Sequence, residues 1–87
     1  MNAETTIMAQ HIATDKGQTA LWNMHAAELE DATELATLML EWYEYYGLAY
    51  QAEPFRSLLR EALNDVDWYA ITSQICYAVE TSQEEVE

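Results

Sequence analysis

The side chains in this sequence that could do chemistry are few, and most stand alone. His25 and Glu28 lie three apart in a run of helix formers, so they share a helix face, and a His beside a carboxylate is a fragment of a metal site. No second pair of this kind exists, and with two His and one Cys in the chain any ligand set would be mostly carboxylate. Short motifs of this size are weak signals, so a helix-surface pair is the better reading and no metal ligand is assigned. Cys76 falls beside Ile75 on a C-terminal apolar stripe, where a cysteine acts as a small hydrophobe. A nucleophilic thiolate needs nearby cations, and three Lys and Arg in the whole chain leave few to supply them. Ser57, Ser73 and Ser82 stand in no nucleophile-elbow context, and Gly17 and Gly47 cannot build a phosphate loop. Carboxylate pairs such as Glu30 with Glu34 or Asp65 with Asp67 arise by chance in so acidic a chain, and acid-base catalysis also needs a concave apolar pocket. The sequence therefore points away from an enzyme, with no catalytic residue and no cofactor.

What remains is the charge itself. Sixteen Asp and Glu against three Lys and Arg give a formal net charge of -13 over 87 residues. Direct binding to nucleic acid or to an anionic membrane by counterion release needs Lys and Arg, so both are excluded and the expected partner is a basic protein. Glu30, Glu34, Glu41 and Glu44 repeat on the polar side of a helical run, and the first two are about 6 Å apart at the helical rise. Like charges at this spacing destabilise a helix, so their accumulation suggests selection for something other than stability. With Asp65 and Asp67 they form the candidate acidic binding face. Four charges over about 21 Å are sparse against duplex DNA, which carries one per ~1.7 Å. Asp31, Glu61, Glu80, Glu84 and Glu85 would have to lie on the same side. Tyr45 points away from the apolar face and Tyr50 lies in a loop, so these two are the candidate aromatic anchors.

The elements that must position these groups are helices. At 51% apolar residues with three Trp, six Tyr and one Phe, the chain has the material for one folded core and is too short for two. Residues 1–17 hold isolated apolar side chains and end in the turn-like Asp15-Lys16-Gly17, which predicts a flexible arm with at most partial helix. From Thr19 to Tyr46 there is no Gly or Pro, which predicts one long helix with Leu21, Met24, Leu35, Met39, Trp42 and Tyr46 on its apolar face and Gly47 as a left-handed stop. Pro54 opens a short helix whose apolar face is Phe55, Leu58, Leu59 and Ala62, closed by Asn64-Asp65. Asp67 caps a third helix, with Val66 placed to pack on Ile71 and with Trp68, Ile71, Ile75 and Val79 in one stripe. The expected architecture is all-α, a long helix with two shorter ones over residues 18–81, followed by a fraying acidic tail over residues 82–87. Three such helices stabilise a domain only marginally, which leaves room for a homodimer that buries surplus Tyr and Trp. One cysteine, no leader-like start and no apolar run of ~20 residues make the cytoplasm the default address.

Near absence of Lys and Arg, surface-periodic Glu and Asp, and interspersed Tyr and Trp in a short chain resemble the small phage and plasmid proteins that mimic DNA, among them antirestriction and anti-CRISPR proteins. The stretch from Ala62 to Ile71 resembles a helix start frequent in such proteins. The resemblance implies an inhibitor that occupies the basic cleft of a restriction or CRISPR nuclease, pairing carboxylates with the Arg and Lys that hold phosphates. The alternative from the residues is a helical interaction module, a dimeric adaptor or antitoxin-like neutraliser, that binds through Tyr45, Tyr50 and apolar surface. A small carboxylate-metal enzyme is the third.

Overall fold

The computed structural model describes residues 2–86, with side chains described through residue 81. All regular structure in it is helical: α1 (Ala3–Thr14), α2 (Lys16–Leu29), α3 (Ala32–Leu48), α4 (Phe55–Asn64) and α5 (Trp68–Val86). The all-α expectation holds, but five helices replace three.

Residues 2–17 do not form the expected arm. Asn2 caps α1 by accepting from the Thr5 backbone N–H at 2.8 Å, and Ile12 is buried. The Thr5 hydroxyl is fully buried; it donates to Asn2 Oδ1 and accepts from the Asp67 backbone N–H at 2.8 Å. Asn2 Nδ2 in turn donates to the Asp65 carbonyl at 2.6 Å. These polar contacts fix α1 to the turn before α5, and an apolar pattern on α1 alone gives no hint of them. Asp15 ends α1 with its N–H on the His11 carbonyl and starts α2 by accepting from the Gln18 N–H at 3.0 Å.

The expected long helix over 19–46 is broken at Glu30 and Asp31. Glu30 has φ 55, a left-handed helix end, and Asp31 caps α3 by accepting from the Thr33 and Glu34 N–H groups at 2.8 and 3.2 Å. The break re-phases the two halves. Trp22 and Ala26 face the core from α2, Leu35, Met39 and Tyr43 from α3, while Met24 and Tyr46 are exposed. Gly47 is not a left-handed stop; it lies within α3, which ends at Leu48. Asp67 does cap α5, accepting from the Ala70 N–H at 3.1 Å, and Trp68, Ile71 and the fully buried Thr72 line its inner face. α5 continues to Val86, so the backbone is helical where the tail was expected to fray; the side chains there lie outside the described residues.

The interior is aromatic and polar at once. Trp22 Nε1 donates to the Tyr43 hydroxyl at 2.9 Å, which donates to Gln18 Oε1. Tyr43 stacks on Trp68 with ring centroids 5.7 Å apart, and the Trp68 Nε1 donates to the Leu63 carbonyl at 2.9 Å. Burial pushes the Tyr43 phenol upward in pKa, Asp15 adds to this, and the Trp22 hydrogen bond opposes it. The Thr72 hydroxyl donates to the Ala32 carbonyl at 2.8 Å and so pins the start of α3 to α5. No buried side-chain polar atom among the described residues lacks a partner.

Candidate functional site

The candidate acidic residues divide among three places. Glu41, Glu44 and Tyr45 come together in an open cleft of ≈ 500 Å³ between α3 and α4, facing Arg56 and Arg60. Tyr45 is exposed and lies edge-on to Tyr46 at 4.9 Å, which continues through Trp42 into the buried Trp22 cluster. This chain of rings holds the Tyr45 side of the cleft on a rigid base.

Glu30 lies at the other end of α3, where it helps to line a second cleft of ≈ 260 Å³ with Ala26, Ala27, Cys76, Val79 and Glu80. Asp31 is close enough to act on the Cys76 thiol. Burial, then the Glu80 and Asp31 carboxylates, push that thiol up, so its thiolate is disfavoured. Glu34 is exposed in the first turn of α3, where a carboxylate also suits the helix dipole. The single face expected for Glu30, Glu34, Glu41 and Glu44 is interrupted by the left-handed residue at Glu30. Asp65 and Asp67 belong to neither cleft. They lie at the α4–α5 turn under Asn2 and Thr5, where Asp67 serves as a helix cap and the Asp65 carbonyl holds Asn2. Tyr50 is 96% exposed in the α3–α4 connection, as expected for a loop residue.

Among the described residues the one ion pair is His25 with Glu28 at 3.9 Å. The other described carboxylates are thus left without a cation from their own chain, and Arg56 and Arg60 make no ion pair across the cleft they share with Glu41 and Glu44. No group of three His, Cys, Asp or Glu side chains among the described residues is placed to hold a metal ion. No described helix is long and apolar enough to cross a membrane.

Two features of this surface lie outside the sequence-derived site. Arg56 and Arg60 are one helical turn apart and put positive charge into the cleft that holds two of the candidate acids; their i, i+4 spacing was the available signal. Tyr69 and Tyr77 are exposed on α5, eight residues apart and therefore on one side, opposite the stripe of Trp68, Ile71 and Ile75. Comparison with known proteins gives no match: no family model, no curated protein and no solved structure is similar to this chain.

Proposed function

We propose that this protein is a DNA-mimicking inhibitor that binds the basic nucleic-acid cleft of a host defence nuclease, a CRISPR or restriction enzyme, and blocks it without chemistry. The observation that carries the reading is a surface of carboxylates of which, among the described residues, one has a cationic partner within its own chain, on a body 50 Å long and 24 by 22 Å across. The thirteen carboxylates among the described side chains come to one per about 4 Å along that length, near the ~3.4 Å spacing of phosphates on one DNA strand. Glu30, Glu34, Glu41 and Glu44 would pair with the Arg and Lys that otherwise hold phosphates, and Tyr45 and Tyr50 would add apolar contact. Opposite charge would make association fast and salt-sensitive.

The test is capture of partners from the native host's lysate on the immobilised protein at low salt, with elution by a salt gradient and by duplex DNA. The expected result is a nuclease that both salt and DNA release. The double variant Glu34→Gln with Glu41→Gln is expected to weaken that binding by more than ~1 kcal/mol, beyond what an incidental surface pair contributes. A partner indifferent to salt and to DNA would replace this reading with the interaction module. That second reading has an observation of its own, the number of large apolar and aromatic side chains left exposed, Tyr45, Tyr50 and Phe55 among them.

A further inference from the structure

Helix α4 has the most marked separation of apolar from polar residues in the molecule, and yet none of its residues is buried. Phe55 and Leu58 are each 62% exposed, and Leu59 is 41% exposed on the same face. Beside this ridge, α1 and α4 frame a groove of ≈ 180 Å³ lined by Ile7, Met8, Leu59, Ala62, Leu63 and Val66, with Glu4 as its one acidic member. Ile7 is 67% exposed at its rim. Charged and polar residues of α4, including Arg56, Ser57, Arg60 and Glu61, occupy its other sides. The chain therefore makes an apolar face and leaves it uncovered.

We propose that a second copy of this chain covers it, in a symmetric dimer through the α1–α4 face. The charge distribution selects this occupant. Two copies of formal charge -13 repel each other, and they can approach only where each carries least charge. Glu4 is the one carboxylate that lines the groove, and the ridge of Phe55, Leu58 and Leu59 carries none; Glu41 and Glu44 lie in the cleft on the other side of α4 with Arg56 and Arg60, and Glu30 and Glu80 line the cleft by Cys76. A basic partner is steered to the other surfaces; a like-charged copy is turned away from them.

Shape points the same way. A two-fold interface is made of one patch meeting itself, so it must offer both a projection and a recess. The Phe55 and Leu58 ridge beside the groove over Leu63 supplies both. An aromatic side chain buries roughly 150–250 Å² when fully covered, and an aliphatic one less. The exposed parts of Ile7, Phe55, Leu58 and Leu59 then amount to several hundred Å² per copy, and two copies bury on the order of 1,000 Å², the lower bound for a specific interface.

The dimer does not rest on the inhibitor reading, and the two respond to salt with opposite sign. Screening weakens attraction to a basic partner and relieves repulsion between two acidic copies. The experiment is sedimentation equilibrium of the full chain from micromolar to millimolar concentration, in low and in high salt. The expected result is a shift from 10.0 kDa to twice that mass, at several-fold lower concentration in high salt. Leu58→Glu is expected to remain at one chain mass at every concentration with unchanged circular dichroism, and Leu58→Ala to weaken the dimer about tenfold. Tyr77→Glu adds the same charge on α5, away from this face, and is expected to keep most of the association. A single chain mass throughout would overturn the proposal. So would a dimer that survives Leu58→Glu, or one that Tyr77→Glu abolishes equally.

Discussion

Helices α3 and α4 both carry leucine and aromatic side chains at helical spacing, yet α3 buries Leu35, Met39 and Tyr43 while α4 buries nothing. The two helices differ in what faces them. α3 lies against α2 and α5, which supply Trp22, Trp68 and Ile71, and its start is held to α5 by the Thr72 hydroxyl. α4 leans on α3 by one side and turns its best apolar stripe outward. The contrast teaches that a helical period reports which side of a helix is apolar, and nothing about whether the same chain will cover that side. A clean stripe is even a poor guide to burial here, because the residues of α4 separate sharply by polarity while those of α2 do not. The helix that reads as most amphipathic is the one this chain leaves uncovered.

The sharpest way to break the comparison is to delete one side chain from each region. Trp22→Ala removes a fully buried indole together with its hydrogen bond to Tyr43, and is expected to cost about 3–5 kcal/mol in urea denaturation, enough to unfold a domain this small. Leu58→Ala on α4 is expected to stay within ~0.5 kcal/mol of the parent at concentrations where the chain is a single copy. Equal losses would mean that α4 belongs to the core after all.

The next test concerns the α1 fastening. Thr5→Val keeps the shape of the side chain but strips the Asp67 N–H and Asn2 of their partner, and is expected to cost about 1–3 kcal/mol. A neutral substitution would show that the Thr5 hydroxyl does not hold α1, leaving Ile12 and the Asn2 contact with the Asp65 carbonyl to do so.

The smallest effect sharpens the account of the interior. Tyr43→Phe is expected to cost about 0.5–1.5 kcal/mol at neutral pH, because the Trp22 Nε1 still reaches Gln18 Oε1 at 3.3 Å. The phenol has a folded-state pKa above its unfolded value, so its contribution is complete below the ordinary tyrosine pKa of about 10 and is lost as pH rises from there toward the folded value. Stability measured by denaturation should therefore fall more steeply above pH ~10 in the parent than in Tyr43→Phe.

Much of the helical content could be read from the residues, but not its punctuation. The stretch from Thr19 to Tyr46 contains no Gly or Pro, and it still breaks, because Asp31 with Glu34 three residues later is a helix-start signal that outweighs good propensity on either side. Glu30 then takes the left-handed position that glycine would occupy more cheaply. With the phase reset, Tyr43 moved to the centre of the core and Tyr46 to the surface. The first 17 residues read as a loop for a related reason: Asn2 and Asp15 are helix caps, and caps look like loop residues when the helix they serve has a weak apolar stripe. α4 and the start of α5 fall close to the expected places because Pro54, Asn64-Asp65 and Asp67 mark their ends, although Pro54 stands at the cap and not in the first turn, and Asn64 belongs to the helix. For the candidate site, exposure of Glu34, Glu41, Tyr45 and Tyr50 followed from helix phase and loop position, whereas grouping did not. Whether Glu41 meets Arg60 or Glu30 meets Glu80 depends on how helices cross, and spacing along one helix carries no information on that.

The contact between Thr5 and Asp67 also sets an order of events. The two residues are 62 positions apart. A ribosome adding roughly 5–20 residues per second presents α1 some 3 to 12 seconds before the backbone N–H that will hold it exists. During that interval α1 has only α2 to lie against, and its Asn2 and Thr5 groups must be served by water. Fastening of α1 therefore waits on the turn between α4 and α5, so that the earliest helix to be made is held in place only when most of the chain exists.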